Sequence, residues 1–200
     1  MKKFNDSIVI GITGGIATGK TTVTHYLAEK YQFPVIDADI LAREAVAINT
    51  PIYDLIMMRY GDQISFDNGH LNRQKLGEII FNNQQEKIWL ESLIHPFVYK
   101  KITEKISSLP SSIIILSVPL LFEANMADLT SVIWVVYCDL SQQLIRLQTR
   151  NNLDRRGALM RINSQMSLSE KVKKGDFILN NNGNKEQLYR QIDQEISTII

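Results

Sequence analysis

Apolar residues in this chain fall into short continuous runs, separated by longer stretches with helical periodicity. SIVIGI, starting at Ser7, reads as a buried strand, and KTTVTHYLAEKY, starting at Lys20, as a helix. FPVIDAD predicts a short strand that ends in acidic residues. From about Ile40 to Leu109 the pattern is mostly helical. It is interrupted by SFDNGHLNRQ, where Asn68-Gly69 favours a turn and Asn72 predicts a cap for the helix that follows. SSIIILSVP and SVIWVVYC show no alternation, the pattern of strands covered on both faces. DFILNN predicts a last strand, and KEQLYRQIDQEISTII a closing amphipathic helix. Strands separated by helices predict an α/β fold, a parallel five-stranded sheet with helices on both faces.

Two hundred residues suffice for one full-sized domain with a real core. The pattern divides the chain into a core of residues 1–39, 111–150 and 169–200 and a helical insertion of residues 40–110. Residues 151–168 form a helical lid. That last stretch is polar, yet Ala158, Leu159, Met160, Ile162 and Met166 supply the apolar positions short helices need, so a mobile flap is expected rather than disorder. A formal charge of +1 argues against a broad nucleic-acid surface. Cys138 is the single cysteine, which excludes an internal disulfide and a cysteine-rich zinc site. No run is long and apolar enough for a membrane span. MKKFNDSIVI leads into a glycine loop rather than a small-residue cleavage site, so no signal peptide and a cytoplasmic location are expected.

The glycine loop carries the first chemistry. Gly14-Gly15-Ile16-Ala17-Thr18-Gly19-Lys20-Thr21 fits G-x-x-x-x-G-K-[ST] in full, with a predicted strand before it and a helix after. Backbone N–H groups of such a loop point inward at a phosphate, and the positive end of the next helix adds to the field. Lys20 would reach the β- and γ-phosphates, and the Thr21 hydroxyl would help hold Mg²⁺. A switch GTPase would normally show N-K-x-D, but Asn184-Lys185-Glu186-Gln187 lacks the aspartate. A mechanical ATPase would usually end an apolar strand in Asp-Glu, and SSIIILSV does not. Small-molecule phosphoryl transfer remains.

Strand two ends in Asp37-Ala38-Asp39. Carboxyl ends of parallel strands face the ligand crevice, where a carboxylate can orient an acceptor hydroxyl and take its proton. The plainer alternative is that Asp39 caps the next helix. Arg43, one helical turn on, is placed to hold a phosphate or to pair with Asp39.

With these residues in view, the chain resembles the dephospho-coenzyme A kinase family. The resemblance rests on the loop, on Asp37-Ala38-Asp39 with Arg43, on His95-Pro96, and on Pro119-Leu120-Leu121-Phe122-Glu123. It continues through Gln143, Arg146, Arg150, Arg161-Ile162 and Gln165 to Ile178-Leu179-Asn180-Asn181-Asn182-Gly183. It implies a nucleotide-kinase-like fold and transfer of phosphate from ATP, with Mg²⁺, to the ribose 3′-hydroxyl of dephospho-coenzyme A. Lys20, Asp39, Arg150 and Arg161 match catalytic positions. Gly15, Ala17, Thr18, Gly19, Lys20, Thr21 and Thr22 would hold the phosphates, with Thr21 on the metal. Asn180 and Gly183 would lie near the adenine. Asp39, Arg43, His95, Pro119, Leu120, Leu121, Glu123 and Arg146 match the acceptor side. Ala17 and Thr18 stand where the family usually has glycine and serine, and alanine at 17 requires a negative φ because Cβ disfavours the left-handed region.

Other residues carry less. His95 precedes a proline that should keep it out of a regular helix. Read alone it is a structural histidine; the resemblance makes it a substrate contact. Arg155 and Arg156 extend the basic run without matching a motif. Trp134 belongs to a core strand, and Trp89 packs by its helical spacing with Leu93. A kinase for another nucleotide or small alcohol is the near alternative, and a nucleotide-read regulatory module the distant one. A monomer is expected, with weak self-association through the last helix as a variant.

Overall fold

Five parallel strands form one sheet: β1 (Ile8–Gly14), β2 (Val35–Asp37), β3 (Ile113–Ser117), β4 (Val132–Tyr137) and β5 (Phe177–Asn180). Their spatial order is β2-β3-β1-β4-β5. The structure, a computed structural model, describes Phe4 and residues 7–200. Apart from Phe4, the leader expectation for MKKFND therefore lies outside the described residues. Every residue of β3 is buried, as the unbroken apolar run predicts. In register, Ile10 pairs with Ile115 and Ile12 with Trp134.

The helices are α1 (Lys20–Tyr31), α2 (Ala38–Ala45), α3 (Pro51–Tyr60), α4 (Arg73–Asn82), α5 (Gln84–Ser108), α6 (Leu140–Asn151), α7 (Arg155–Asn163), α8 (Leu168–Lys174) and α9 (Lys185–Ile196). Ile10, Ile12, Ile113, Ile115, Trp134, Val136 and Leu179 share one sheet face and bury Val23 and Leu27 of α1 with Leu188, Ile192 and Ile196 of α9. The amphipathic repeat of α9 thus packs inward. Asp193 fixes it to α1, accepting from Tyr26 Oη at 2.8 Å, Tyr31 Oη at 2.7 Å and Lys30 Nζ at 2.8 Å. On the opposite face α8 packs against β1 and β4.

The chain forms two compact units. One contains the described residues through Asp37 together with Lys105–Ile200; the other is Ala38–Glu104. The second unit is helical and has its own core of Ala45, Val46, Ile56, Ile64, Leu71, Leu76 and Leu90, against which Trp89 packs. The Asn72 side chain accepts from Lys75 N at 3.1 Å, the predicted cap of α4. Arg59 grips Glu86 with Nε at 2.7 Å and Nη2 at 2.8 Å, and lies 4.4 Å from the Trp89 ring centroid. The Tyr60 hydroxyl also donates to Glu86. The Arg59 bond, then the Tyr60 bond, hold the Glu86 carboxyl down at about 2.

One helix departs from the local expectation. α5 runs through His95 and Pro96 without a break. Proline has no N–H for the carbonyl four residues back and interrupts helices for that reason. Here Leu90 lies on one side and Val98 and Ile102 on the other, all buried, so packing on both sides outweighs the missing bond.

Candidate functional site

The phosphate loop leaves β1 in the middle of the sheet, where the connections turn to either side, the position at which open α/β sheets bind ligands. Gly19 caps α1 in the left-handed region at φ 104, and a Cβ there would collide with Asn181 Nδ2. No acidic side chain occupies the first turn of α1, so its positive end is available to an anion. Lys20 Nζ donates to the carbonyls of Gly15 at 2.7 Å and Gly14 at 3.1 Å, which lays it along the loop. Thr21 is exposed at the helix start, while the Thr22 N–H turns inward to Gly19 O at 3.0 Å. Thr18 is buried and its hydroxyl donates to Gly15 O at 2.9 Å, closing the loop from inside.

Ala17 corrects the sequence expectation: its φ is 61, not negative. Alternating right- and left-handed residues point successive N–H groups into one concavity, and an anion-binding loop needs that turn. The left-handed region costs an L-residue roughly 1–2 kcal/mol. Against that, Ala17 packs with Ile16 on Leu144, Leu147 and Ala158, a contact glycine would lack.

Four side chains brace the loop from outside. Gln143 Nε2 donates to Ile16 O at 2.8 Å, and Gln165 Oε1 accepts from Ile16 N at 2.9 Å, so the backbone of one residue is held on both sides. Asn181 Nδ2 donates to Thr18 O at 2.7 Å. Arg146 donates to Thr18 O at 3.3 Å and to Asn181 O at 2.9 Å, so its guanidinium lies on loop backbone. Arg150, bonded to Asn151 Oδ1 at 2.9 Å, and Arg161, in the last turn of α7, are exposed. Gln143, Gln165, Met166, Tyr137 and Cys138 line a cavity of about 480 Å³ beside Gly15. Burial pushes the Cys138 thiol up, away from a reactive thiolate.

At the end of β5, Asn180 is framed by Gln191, which accepts from its N–H at 2.9 Å and donates to its carbonyl at 2.9 Å. A Cβ at Gly183 would meet the end of the exposed Gln187 side chain, which closes the capping box of α9 with Asn184. On the turn after β3, Pro119 and Leu120 are half-buried and Leu121 is fully buried. Glu123 Oε1 contacts Lys171 Nζ at 2.9 Å and accepts from Met166 N at 3.0 Å. Lys171 is not among the predicted site residues, since it falls in none of the motifs. Its spacing from Leu168 and beside Val172, on the inward stripe of α8, is the signal that separates it from Lys173 and Lys174.

The helical unit carries the remaining predicted residues. Asp39 is exposed in the first turn of α2, directly after the end of β2, and Arg43 is exposed one turn further. The Arg43 carbonyl accepts from Arg73 Nη2 at 3.2 Å. His95 is half-buried in mid-α5.

Known proteins share this fold. The family model described as dephospho-CoA kinase matches residues 8–187. A dephospho-CoA kinase of Trichormus variabilis is 52% identical over 185 residues, covering 92% of this chain and 94% of that protein. A solved Thermus thermophilus structure superposes with TM-score 0.82 at 30% identity, covering 97% of this chain and 98% of the other. The dephospho-CoA kinase of Campylobacter jejuni gives 0.70 at 29% identity, covering 96% of each chain. With a P-loop kinase sheet, a complete phosphate loop and matches over almost its whole length, the chain belongs to the dephospho-CoA kinase family.

Proposed function

We propose that this chain transfers the γ-phosphoryl group of ATP to the ribose 3′-hydroxyl of dephospho-coenzyme A, giving coenzyme A and ADP. The observation that carries the reading is the complete G-x-x-x-x-G-K-T loop between β1 and α1, in a chain matched to this family over residues 8–187. Lys20 and the loop N–H groups hold the phosphates and meet the charge that spreads over the transferring group. Arg150 and Arg161, both exposed, belong to the lid of residues 151–168 and its root. They close over the nucleotide and exclude water, which would otherwise hydrolyse ATP.

Asp39 accepts the hydroxyl proton as the ribose oxygen bonds to the γ-phosphorus and the bond to the β–γ bridging oxygen breaks. Arg43 and His95 orient the acceptor, together with Pro119 and Leu120. Arg146 acts through the loop whose backbone it grips. Asn180 and Gly183 form the adenine side. Thr21 offers a hydroxyl to Mg²⁺, which neutralises phosphate charge when bound. Among the described residues no group of three or more His, Cys, Asp or Glu could hold a metal. Mg²⁺ fits all the same, since it keeps its waters and binds through phosphates and few side chains. The enzyme works in the cytoplasm, a reading carried by the family; among the described residues no helix is long and apolar enough to cross a membrane.

Steady-state kinetics of two variants test these roles. Lys20→Ala abolishes nearly all transfer. Asp39→Asn lowers kcat far more than it weakens ATP binding; normal turnover by that variant removes Asp39 from the proton-accepting role.

A further inference from the structure

Lys171 is fully buried at 0% exposure, on a helix whose neighbouring lysines face solvent. A buried ammonium costs several kcal/mol of desolvation unless it is paired and hydrogen-bonded. Lys171 Nζ has both compensations: Pro119 O at 2.7 Å and Glu123 Oε1 at 2.9 Å. An apolar residue of similar volume would commonly be as stable there. The pair therefore contributes placement more than stability.

What it places can be read from the other bonds. Pro119 O also accepts from Thr13 Oγ1 at 3.3 Å, on the strand that feeds the phosphate loop. Glu123 Oε1 also accepts from Met166 N at 3.0 Å. The residue before it, Gln165, holds Ile16 of the loop. Two consecutive residues after α7 are thus tied down, one to the phosphate loop by its side chain, the other to the turn after β3 by its backbone. At Ser167 the chain enters α8 through a capping box with Glu170, so the segment continues into a rigid element. Glu123 Oε2 is buried without a hydrogen-bond partner, and among the described residues Lys171 is the one cation paired with this carboxylate.

We propose that Lys171 is a positioning residue for phosphoryl transfer. Through Glu123 and Pro119 it fixes the root of the lid against the turn after β3. Glu123 serves as its strut and not as a ligand of the acceptor. The kinetic part of this inference rests on the kinase reading above; the structural part does not.

The test compares Lys171→Met, Lys171→Arg and the charge-free pair Lys171→Met with Glu123→Leu, each in the full chain. Amide hydrogen exchange of residues 164–168 is followed beside kcat and the KM for ATP. Lys171→Met is expected to expose the Met166 amide to exchange while β1 and β3 stay protected. It lowers kcat on the order of 10- to 100-fold, the scale of a misplaced catalytic element, with little change in the KM for ATP. Lys171→Arg keeps both donations and restores most of the turnover. The charge-free pair recovers the melting temperature of the native chain yet keeps the low kcat and the fast exchange. Wild-type kcat in the charge-free pair, or unchanged exchange at 164–168 in Lys171→Met, overturns the proposal. Failure of the native chain to phosphorylate dephospho-coenzyme A strikes the kinase reading instead and leaves the exchange result standing.

Discussion

Asn181 Nδ2 donates to the carbonyl of Thr18 at 2.7 Å across 163 residues of sequence, joining the loop after the last strand to the loop after the first. Both groups are buried, and Gly19 leaves Asn181 its space by having no Cβ. The phosphate loop is therefore shaped from outside as well as by its own glycines.

Asn181→Ala leaves Thr18 O with Arg146 as its remaining side-chain donor. Losing a buried bond of this kind costs about 1 kcal/mol, or roughly fivefold in affinity. Isothermal titration with an ATP analogue should show that loss, and Asn181→Asp should bind no better than the alanine variant, having no amide to donate.

Ala17 yields a paired prediction. Ala17→Gly removes left-handed strain of about 1–2 kcal/mol but also loses the methyl's packing, about 0.8 kcal/mol, and gains backbone freedom when unfolded. Its denaturation midpoint should stay close to that of the native chain. Ala17→Val puts a β-branched residue at φ 61 and should be clearly destabilised.

The Arg59–Glu86 pair predicts acid sensitivity. The folded Glu86 carboxyl lies at about 2 against an ordinary 4.5, so its contribution is complete above pH 4.5 and is lost as pH falls towards 2. Denaturant unfolding followed by circular dichroism between pH 6 and 2 should show this decline. Glu86→Gln should flatten it, whereas an equal acid limb in that variant would assign the decline to other carboxylates.

These cases show what was legible in sequence. The strands were, because parallel strands buried on both faces leave continuous apolar runs such as Ile113 to Leu116. The phosphate loop was, because its chemistry is local: eight consecutive residues between a strand and a helix. Lys171 was not, since its partners Pro119 and Glu123 lie some fifty residues away and it falls in none of the motifs. Pro96 misled for a related reason, because a local helix-breaking rule gave way to packing on both sides of it. Ala17 misled in another way. Residue type argued for a negative φ, whereas the anion-binding turn demands a positive one.

The identity of the acceptor atom defines the reaction. The native chain with Mg·ATP should convert dephospho-coenzyme A to a product one phosphate heavier by mass spectrometry, with phosphorus NMR placing the new group on the ribose 3′-oxygen. ADP release should be far faster than with AMP, adenosine or no acceptor. ADP release that is equal with and without dephospho-coenzyme A, or phosphate arriving at another atom, would contradict transfer to the 3′-hydroxyl.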